Sequence, residues 1–115
     1  MAIQTNQGKE NLAIAYGNMA THAALYTTAP GSTAGTEPSG GSPAYARRPL
    51  TWTAGTVDGT VTATAEFNVP AGATIVGAGV HTALTGGTYL DGGTVTSQAF
   101  GTQGTYTLTL TYSQS

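Results

Sequence analysis

The chain has 115 residues, no cysteine and a formal net charge of −2. Only 7% of its residues are charged, against about 25% in ordinary soluble domains. Three basic residues are too few to neutralise a row of phosphates, so DNA and RNA are not expected partners. The lack of cysteine excludes disulfides and thiolate metal sites. We therefore expect a fold stabilised by its hydrophobic core.

Length and composition predict one domain over residues 1–115. Within it we expect an N-terminal arm with a short helix over 1–20 and a β-sandwich over 21–115, interrupted by a long loop over 30–43. No stretch approaches the roughly 20 apolar residues of a membrane span. The first residues also lack the basic and apolar segments of a secretory signal. We expect synthesis in the cytoplasm and no membrane partner.

The only predicted helix lies at the start of the chain. Thr5 or Asn6 can cap its N-terminus, and we expect the helix to cover an open end of the sandwich. Its predicted apolar face consists of Leu12, Ala15, Tyr16 and Met19. A strand is predicted next over 22–28, and the Gly-, Ser- and Pro-rich loop over 30–43 follows it.

The sequence from residue 50 onward predicts strands. They cover residues 50–54, 60–69, 74–84, 88–90, 94–100 and 105–112. In 60–69 and 105–112, threonine alternates with apolar residues, which is typical of strands with one buried face. Asp58-Gly59 predicts a two-residue type I′ hairpin turn, and Asp91 before Gly92 is also interpreted as a turn residue. We predict an all-β fold: an antiparallel β-sandwich of about seven strands with one short N-terminal helix.

Few side chains could support catalysis or metal binding. The titratable candidates are Glu10, His22, Glu37, Asp58, Glu66, His81 and Asp91. They form no local carboxylate pair and no metal-binding histidine spacing, and the serines form no nucleophile elbow. A small hydrolase would require them to converge in the folded structure. We expect no enzymatic activity, no catalytic residue, no metal and no cofactor, and we interpret the nearly uncharged threonine side as a contact surface.

Arg47-Arg48 is the one basic cluster, and it lies between Tyr45 and Trp52 at the exit of the long loop. Beside aromatic rings, the pair could bind an acidic patch on a partner or stack on a sugar. Alternatively, it forms an internal ion pair with Glu37 and a cation–π contact with Trp52. The sequence leaves both interpretations open.

Several motifs resemble a family of small virion proteins from tailed phages of actinobacteria. They are the run His22–Gly31, the residues Gly35, Glu37 and Gly40-Gly41, then Tyr45-Ala46-Arg47, Trp52 and the run Phe67–Ile75. Members are often labelled tail fibre or minor tail protein. Ser42 and Pro43 depart from the compact loop of that family. The resemblance implies a non-enzymatic virion component made in the cytoplasm of the bacterial host.

From this resemblance and the short, repeat-free chain we expect a decoration or minor capsid protein that binds and stabilises the capsid surface. It would form homo-oligomers, taken as trimers, and contact the major capsid protein or other virion proteins. The alternative is a minor tail or tail-fibre-associated protein that contacts host-surface glycans. The predicted contact residues are Ile3, Pro30, Glu37, Tyr45, Arg47 and Arg48.

Overall fold

The computed structural model of the protein describes residues 5–54 and 59–113. Within these ranges it contains one helix and seven strands. They are α1 (Asn6–Met19), β1 (His22–Tyr26), β2 (Arg48–Pro49), β3 (Thr53–Ala54), β4 (Thr60–Val69), β5 (Thr74–His81), β6 (Tyr89–Ala99) and β7 (Gly104–Ser113). Two antiparallel sheets have the strand orders β2-β1-β5-β6 and β3-β4-β7. The predicted antiparallel β-sandwich with one short helix is confirmed.

β4 and β7 form a regular hairpin whose side chains follow a strict alternation. They pair without interruption from Thr60 opposite Ser113 to Val69 opposite Gly104. Every second side chain of β4, from Val61 onward, is buried, and the residues between them face outward. Successive side chains of a strand point to opposite faces, so this pattern confirms both threonine-rich strands. It also places Glu66 on the exposed side, as predicted.

The hydrophobic core lies between the two sheets. Its buried residues are Ala23, Leu25, Ala65, Phe67, Val69, Ile75, Ala78, Phe100 and Leu108. Most of β5 is buried on both faces, because one face contacts this core and the other is covered by the segment between β1 and β2. Burial on both faces explains why β5 lacks a polar side.

The covered outer face of β1 and β5 is built around Tyr26. This side chain is fully buried and crosses β5 at Gly79, with its hydroxyl 2.5 Å from Nε2 of His81. A Cβ atom on Gly79 would lie 2.6 Å from that hydroxyl. Pro30 occupies the corresponding space beside Gly77. The glycines of β5 therefore make room for side chains that lie flat on the sheet.

β6 is one strand of 11 residues, where the sequence predicted two strands separated by a turn at Asp91. The turn interpretation of Asp91 is wrong. Gly79 pairs with Gly92 and Ala78 with Gly93, so two runs of small residues face each other and pairing continues through the glycines. Two register shifts, between Ile75 and Gly77 and between Val80 and His81, accommodate the irregularity as bulges.

The predicted strand over 74–84 ends earlier, at His81. Bends occupy residues 82–87, and Gly86 and Gly87 adopt positive φ values of 64° and 70°. Positive φ favours glycine and interrupts a strand. The predicted strand over 22–28 likewise ends early, at Tyr26, after which the chain turns back and Thr27 N donates to Thr36 O at 2.7 Å.

Only the end of the predicted strand over 50–54 forms, because the chain passes from one sheet to the other just before it. β2 pairs with β1 through Arg48 opposite Ala23, whereas β3 pairs with β4 through Ala54 opposite Val61. The chain crosses between the sheets at Trp52, whose Nε1 donates to Ala20 O at 2.8 Å. Continuous pairing is impossible across such a crossing, so only Thr53–Ala54 remains of the predicted strand.

The β3–β4 pairing places a hairpin at this position, and the predicted Asp58-Gly59 turn lies partly outside the described residues. Residues 55–60 connect Ala54 to its partner Val61. Asp58 lies outside the described residues. Gly59 has a positive φ of 81°, as expected for a glycine in a turn.

α1 confirms the predicted helix and resolves its cap. Thr5 Oγ1 accepts a hydrogen bond from Gly8 N at 3.1 Å. The predicted apolar face is wrong in part, because Leu12 and Met19 are 43% and 53% exposed, whereas Glu10 and Ala13 are buried. The cause is long-range: the Glu10 carboxylate accepts from Gly59 N at 3.0 Å, which turns that side of the helix inward.

The inward side of α1 is completed by small and aromatic residues. Gly17 lies against Trp52, whose Cγ would be 2.9 Å from an added Cβ atom, and the Tyr16 ring stacks on Tyr112 with centroids 4.0 Å apart. In the described part of the chain, no helix has the length and apolarity needed to cross a membrane.

Substitution of the two glycines Gly79 and Gly93 tests the packing of Tyr26. Because its Cβ would overlap Tyr26 and Asp91 O, we expect Gly79→Ala to lower the free energy of unfolding by about 2 kcal/mol. Gly93→Ala meets no atom within 4 Å and should change it by less than about 0.5 kcal/mol. Equilibrium urea unfolding measures both, and equal effects would contradict this account.

Candidate interaction surfaces

Arg47 forms an internal network at the exit of the long loop. Its Nη2 is 2.9 Å from Oε2 of Glu37 and its Nε donates to Oε1 at 3.1 Å. Its Nη1 donates to the carbonyl oxygens of Ala83 and Gly86 at 3.1 and 2.9 Å. Only 13% of the Arg47 side chain is exposed. Arg47 therefore ties the loop to the connection between β5 and β6.

Tyr45 extends this network into the core. Its hydroxyl donates to Oε1 of Glu37 at 2.7 Å and accepts from Leu25 N at 3.1 Å. Its ring stacks against Phe67 with an interplanar angle of 12°. Burial of this kind usually pairs a tyrosine hydroxyl with a hydrogen-bonding partner, and here one hydroxyl joins a loop carboxylate to a strand amide.

The network shifts the ionisation of its members. Burial raises the pKa of Glu37, but the hydrogen bonds from Arg47 and Tyr45 outweigh this effect, so the pKa lies below its ordinary value. The hydrogen bond from Arg47 to this carboxylate raises the pKa of the guanidinium. Burial, followed by the hydrogen bond to Glu37, raises the pKa of the Tyr45 hydroxyl. The shifts of Glu37 and Arg47 favour an ionised pair, and the shift of Tyr45 keeps its hydroxyl protonated as a donor.

The structure separates the two arginines of the predicted basic cluster. Arg47 forms the internal ion pair with Glu37, which was one of the two interpretations. Trp52 takes no part in it, because its ring lies against Tyr16 with centroids 6.1 Å apart. Arg48 lies in β2 and is exposed. Arg48 is therefore the member of the pair that can reach a partner without first breaking the fold.

The remaining predicted contact residues lie at different places. Pro30 is half-buried against Gly77, and Ile3 lies outside the described residues. The loop is fastened at its far end by Gln103, whose side chain accepts from Ser42 N at 3.2 Å and donates to Pro43 O at 3.0 Å. Residues 31–34, 36 and 39–44, in the loop and at its exit, are exposed.

A second surface is the outer face of the β3-β4-β7 sheet. We call it the threonine face, and it consists of Thr53, Thr62, Thr64, Thr107, Thr109 and Thr111. All six are exposed. Thr62 lies opposite Thr111 and Thr64 opposite Thr109, which places hydroxyl and methyl groups in regular rows. Glu66, beside Thr107, is the one charged neighbour within β4 and β7.

A cleft of about 210 Å³ opens between the sheets where β7 faces β5 and β6. Its lining includes the rings of Tyr16, Trp52 and Tyr112 and the carboxylate-bearing Asp91. Burial, with the charge of Asp91, raises the pKa of Tyr16 to about 12. Aromatic faces beside a hydrogen-bonding carboxylate can hold a ligand that is partly apolar and partly hydroxylated.

The two histidines lie opposite each other in the β1–β5 pair, which the sequence did not reveal because strand register is not a local property. His81 is buried beside Tyr26, and burial together with the positive charge of Arg47 lowers its pKa. His22 instead bonds Thr21 Oγ1 through Nδ1 at 2.9 Å. Across residues 5–54 and 59–113, no group of three or more His, Asp or Glu could hold a metal ion.

Comparison with known proteins gives one family. A family model described as "Podophage GP4 fiber I protein gp80" matches residues 13–112, from the middle of α1 almost to the end of β7. No curated protein and no solved structure matches the chain.

Alanine substitution of each arginine tests whether Arg47 stabilises the fold and Arg48 does not. We expect Arg47→Ala to lower the free energy of unfolding by about 2–3 kcal/mol, because it leaves a mostly buried Glu37 without its cation and two carbonyl groups without the donor they share. Arg48→Ala, at an exposed position, should change it by less than about 0.5 kcal/mol. Urea unfolding monitored by Trp52 fluorescence measures both, and an equal loss in the two variants would refute the assignment.

The Glu37 pKa predicts a pH dependence of stability. Because the folded-state pKa lies below the ordinary 4.5, the unfolded chain binds a proton first as the pH falls. The contribution of the ionised Glu37–Arg47 pair to the free energy of unfolding is therefore fully present above about pH 5. This contribution decreases as the pH falls through 4.5 toward the folded-state pKa of Glu37.

Urea midpoints between pH 6 and 3 measure this dependence. Glu37→Gln should flatten the decrease, whereas Glu66→Gln, which removes an exposed carboxylate from β4, should leave it in place. A decrease of the same size in Glu37→Gln would contradict the role of this pair.

Proposed function

Since the chain belongs to the podophage GP4 fiber I protein gp80 family, we propose that it is a non-enzymatic subunit of a phage tail fibre or of a structure mounted on one. Membership of a phage fibre family makes it a structural component of the virion. The family description favours the tail-fibre alternative over the capsid decoration that we predicted first. The resemblance found in the sequence adds an actinobacterial host to the proposal, whereas the family description names only a podophage.

The observation that carries the proposal is the family match over residues 13–112. The surface of the described residues supports it. The threonine face and the exposed loop residues 31–34 and 39–44 offer hydroxyl groups and backbone rather than charges. Contacts of this kind depend little on salt and suit a subunit that binds other virion proteins over a broad area.

The cleft between the sheets supports contact with host-surface glycans. Trp52 and the stacked pair Tyr16 and Tyr112 give its lining an aromatic part, and Asp91 is exposed. A carboxylate accepts hydrogen bonds from sugar hydroxyls, and a sugar ring has an apolar face that can pack on an aromatic ring. A saccharide is therefore the ligand that this cleft suits best.

The position of the protein in the virion is tested by counting and labelling it. We expect a copy number far below that of the major capsid protein by quantitative mass spectrometry of purified virions, and antibody-gold labels on the tail. A copy number near that of the major capsid protein, with labels over the shell, would restore the capsid-decoration prediction. Absence from the particle would overturn both.

Glycan contact is tested separately with an array of bacterial surface saccharides. We expect the protein to bind at least one of them, and Asp91→Asn to weaken that binding about ten-fold, as expected for loss of one charged hydrogen bond. Asparagine keeps the side-chain oxygen that accepts from Gly92 N at 2.8 Å. Glu66→Gln serves as the control and should bind normally. Failure of the unmodified protein to bind any saccharide would remove glycans from the proposal.

A further inference from the structure

Gly93 leaves a gap among the side chains that β6 turns toward the other sheet. It lies opposite Ala78, a member of the core, and directly opposite residues of two paired strands face the same side of the sheet. A Cβ atom added to Gly93 would nevertheless meet no atom within 4 Å, and the residue is exposed. Because Gly93 also lines the cleft between the sheets, this unfilled space belongs to the cleft.

Asp91 and Val95 flank the gap at Gly93. Residues two apart in a strand share a face and lie about 6.6–6.8 Å apart along it, and both neighbours line the cleft. Val95 packs against the core, whereas the Asp91 side is exposed. The inner face of β6 therefore changes from an apolar side chain, through open backbone, to a carboxylate.

The size of the cleft limits what this face can hold. Its opposite wall includes Leu108 and Leu110 of β7, which are buried and half-buried. Its volume of about 210 Å³ corresponds to roughly seven water molecules at about 30 Å³ each. Such a space suits one sugar ring, and the strand length from Gly93 to Asp91 is comparable with that ring.

The charge of the cleft limits the class of sugar. Asp91 is the one charged residue in the described part of the lining. A saccharide that carries a carboxylate or a phosphate would be repelled by this side chain. The hydroxyl groups of an uncharged sugar can instead donate hydrogen bonds to it. The lining therefore favours an uncharged ring.

We propose that Gly93 determines which saccharides the cleft accepts, because its missing side chain leaves space for one uncharged sugar ring over β6, with the ring hydroxyls toward Asp91. The inference rests on the proposed glycan contact and adds the residue that sets the size of the ligand and the charge class of that ligand. A larger side chain at position 93 would occupy the space of the ring.

Substitution of Gly93 by valine tests this role. Gly93 lies in a strand and has no positive φ, and valine suits strands, so Gly93→Val should fold with an unchanged or higher free energy of unfolding. Gly101→Val is the matched control. Gly101 is also exposed and also meets no atom within 4 Å of an added Cβ, but it lies outside the cleft lining.

Saccharide arrays and titrations with the bound saccharide measure the effect. We expect the unmodified protein to bind an uncharged saccharide, Gly93→Val to weaken that binding by at least about ten-fold, and Gly101→Val to bind as the unmodified protein does. Gly93→Ala adds a smaller group and should weaken binding less than valine does. Urea unfolding of each variant shows that the protein tested is folded.

The outcomes separate the role of Gly93 from the glycan contact itself. Equal binding by the unmodified protein, Gly93→Ala and Gly93→Val would overturn the role of Gly93 and leave the glycan contact intact. An equal loss in Gly101→Val would also overturn that role. Binding of acidic saccharides alone would refute the charge class, and no binding by the unmodified protein would overturn both the inference and the glycan contact.

Discussion

The hydrogen bonds of Arg47 hold together segments that share no sheet pairing. The guanidinium joins Glu37 of the long loop to two carbonyl groups between β5 and β6. Through Tyr45, the same carboxylate is connected to the backbone of β1. This arrangement keeps the loop packed over the outer face of β1 and β5, so that Tyr26 and His81 stay buried. The guanidinium of Arg47 therefore stabilises the fold, and both faces of the β1–β5 pair remain covered.

The small number of charges determines which surfaces remain for contacts. With Arg47 engaged internally, the described surface offers the exposed charges of Arg48, Glu66 and Asp91 beside the uncharged hydroxyl-bearing faces. Membership of a phage fibre family places these surfaces on a component of the virion. The aromatic cleft differs from them in chemistry, since it combines three rings with one carboxylate. The described surface therefore offers both broad uncharged faces and an aromatic cleft with one carboxylate.

The local sequence pattern predicted the regular strands, and it failed where contacts with residues distant in sequence determine the structure. The alternation of 60–69 and 105–112 was sufficient for β4 and β7, because one buried face dictates a period of two. Asp91 and its glycines suggested a turn, yet the small residues of β5 opposite them allow pairing to continue. The buried side of α1 depends on the hydrogen bond between Glu10 and Gly59. The structural role of Arg47 depends on hydrogen bonds to carbonyl groups about 40 residues away in the chain. Neither partner is recognisable from sequence spacing.

The alternation along β4 and β7 also affects how the protein can change during evolution. Each outward threonine is separated from the core by the backbone, so its replacement alters the surface with little effect on folding. Gly79, in contrast, is constrained by Tyr26, and a single added methyl group would disturb both strands. Sequence divergence between related phages should therefore accumulate on the outer sheet while the glycine positions stay constant. Such a sheet allows a virion to acquire new surface chemistry without rebuilding its scaffold.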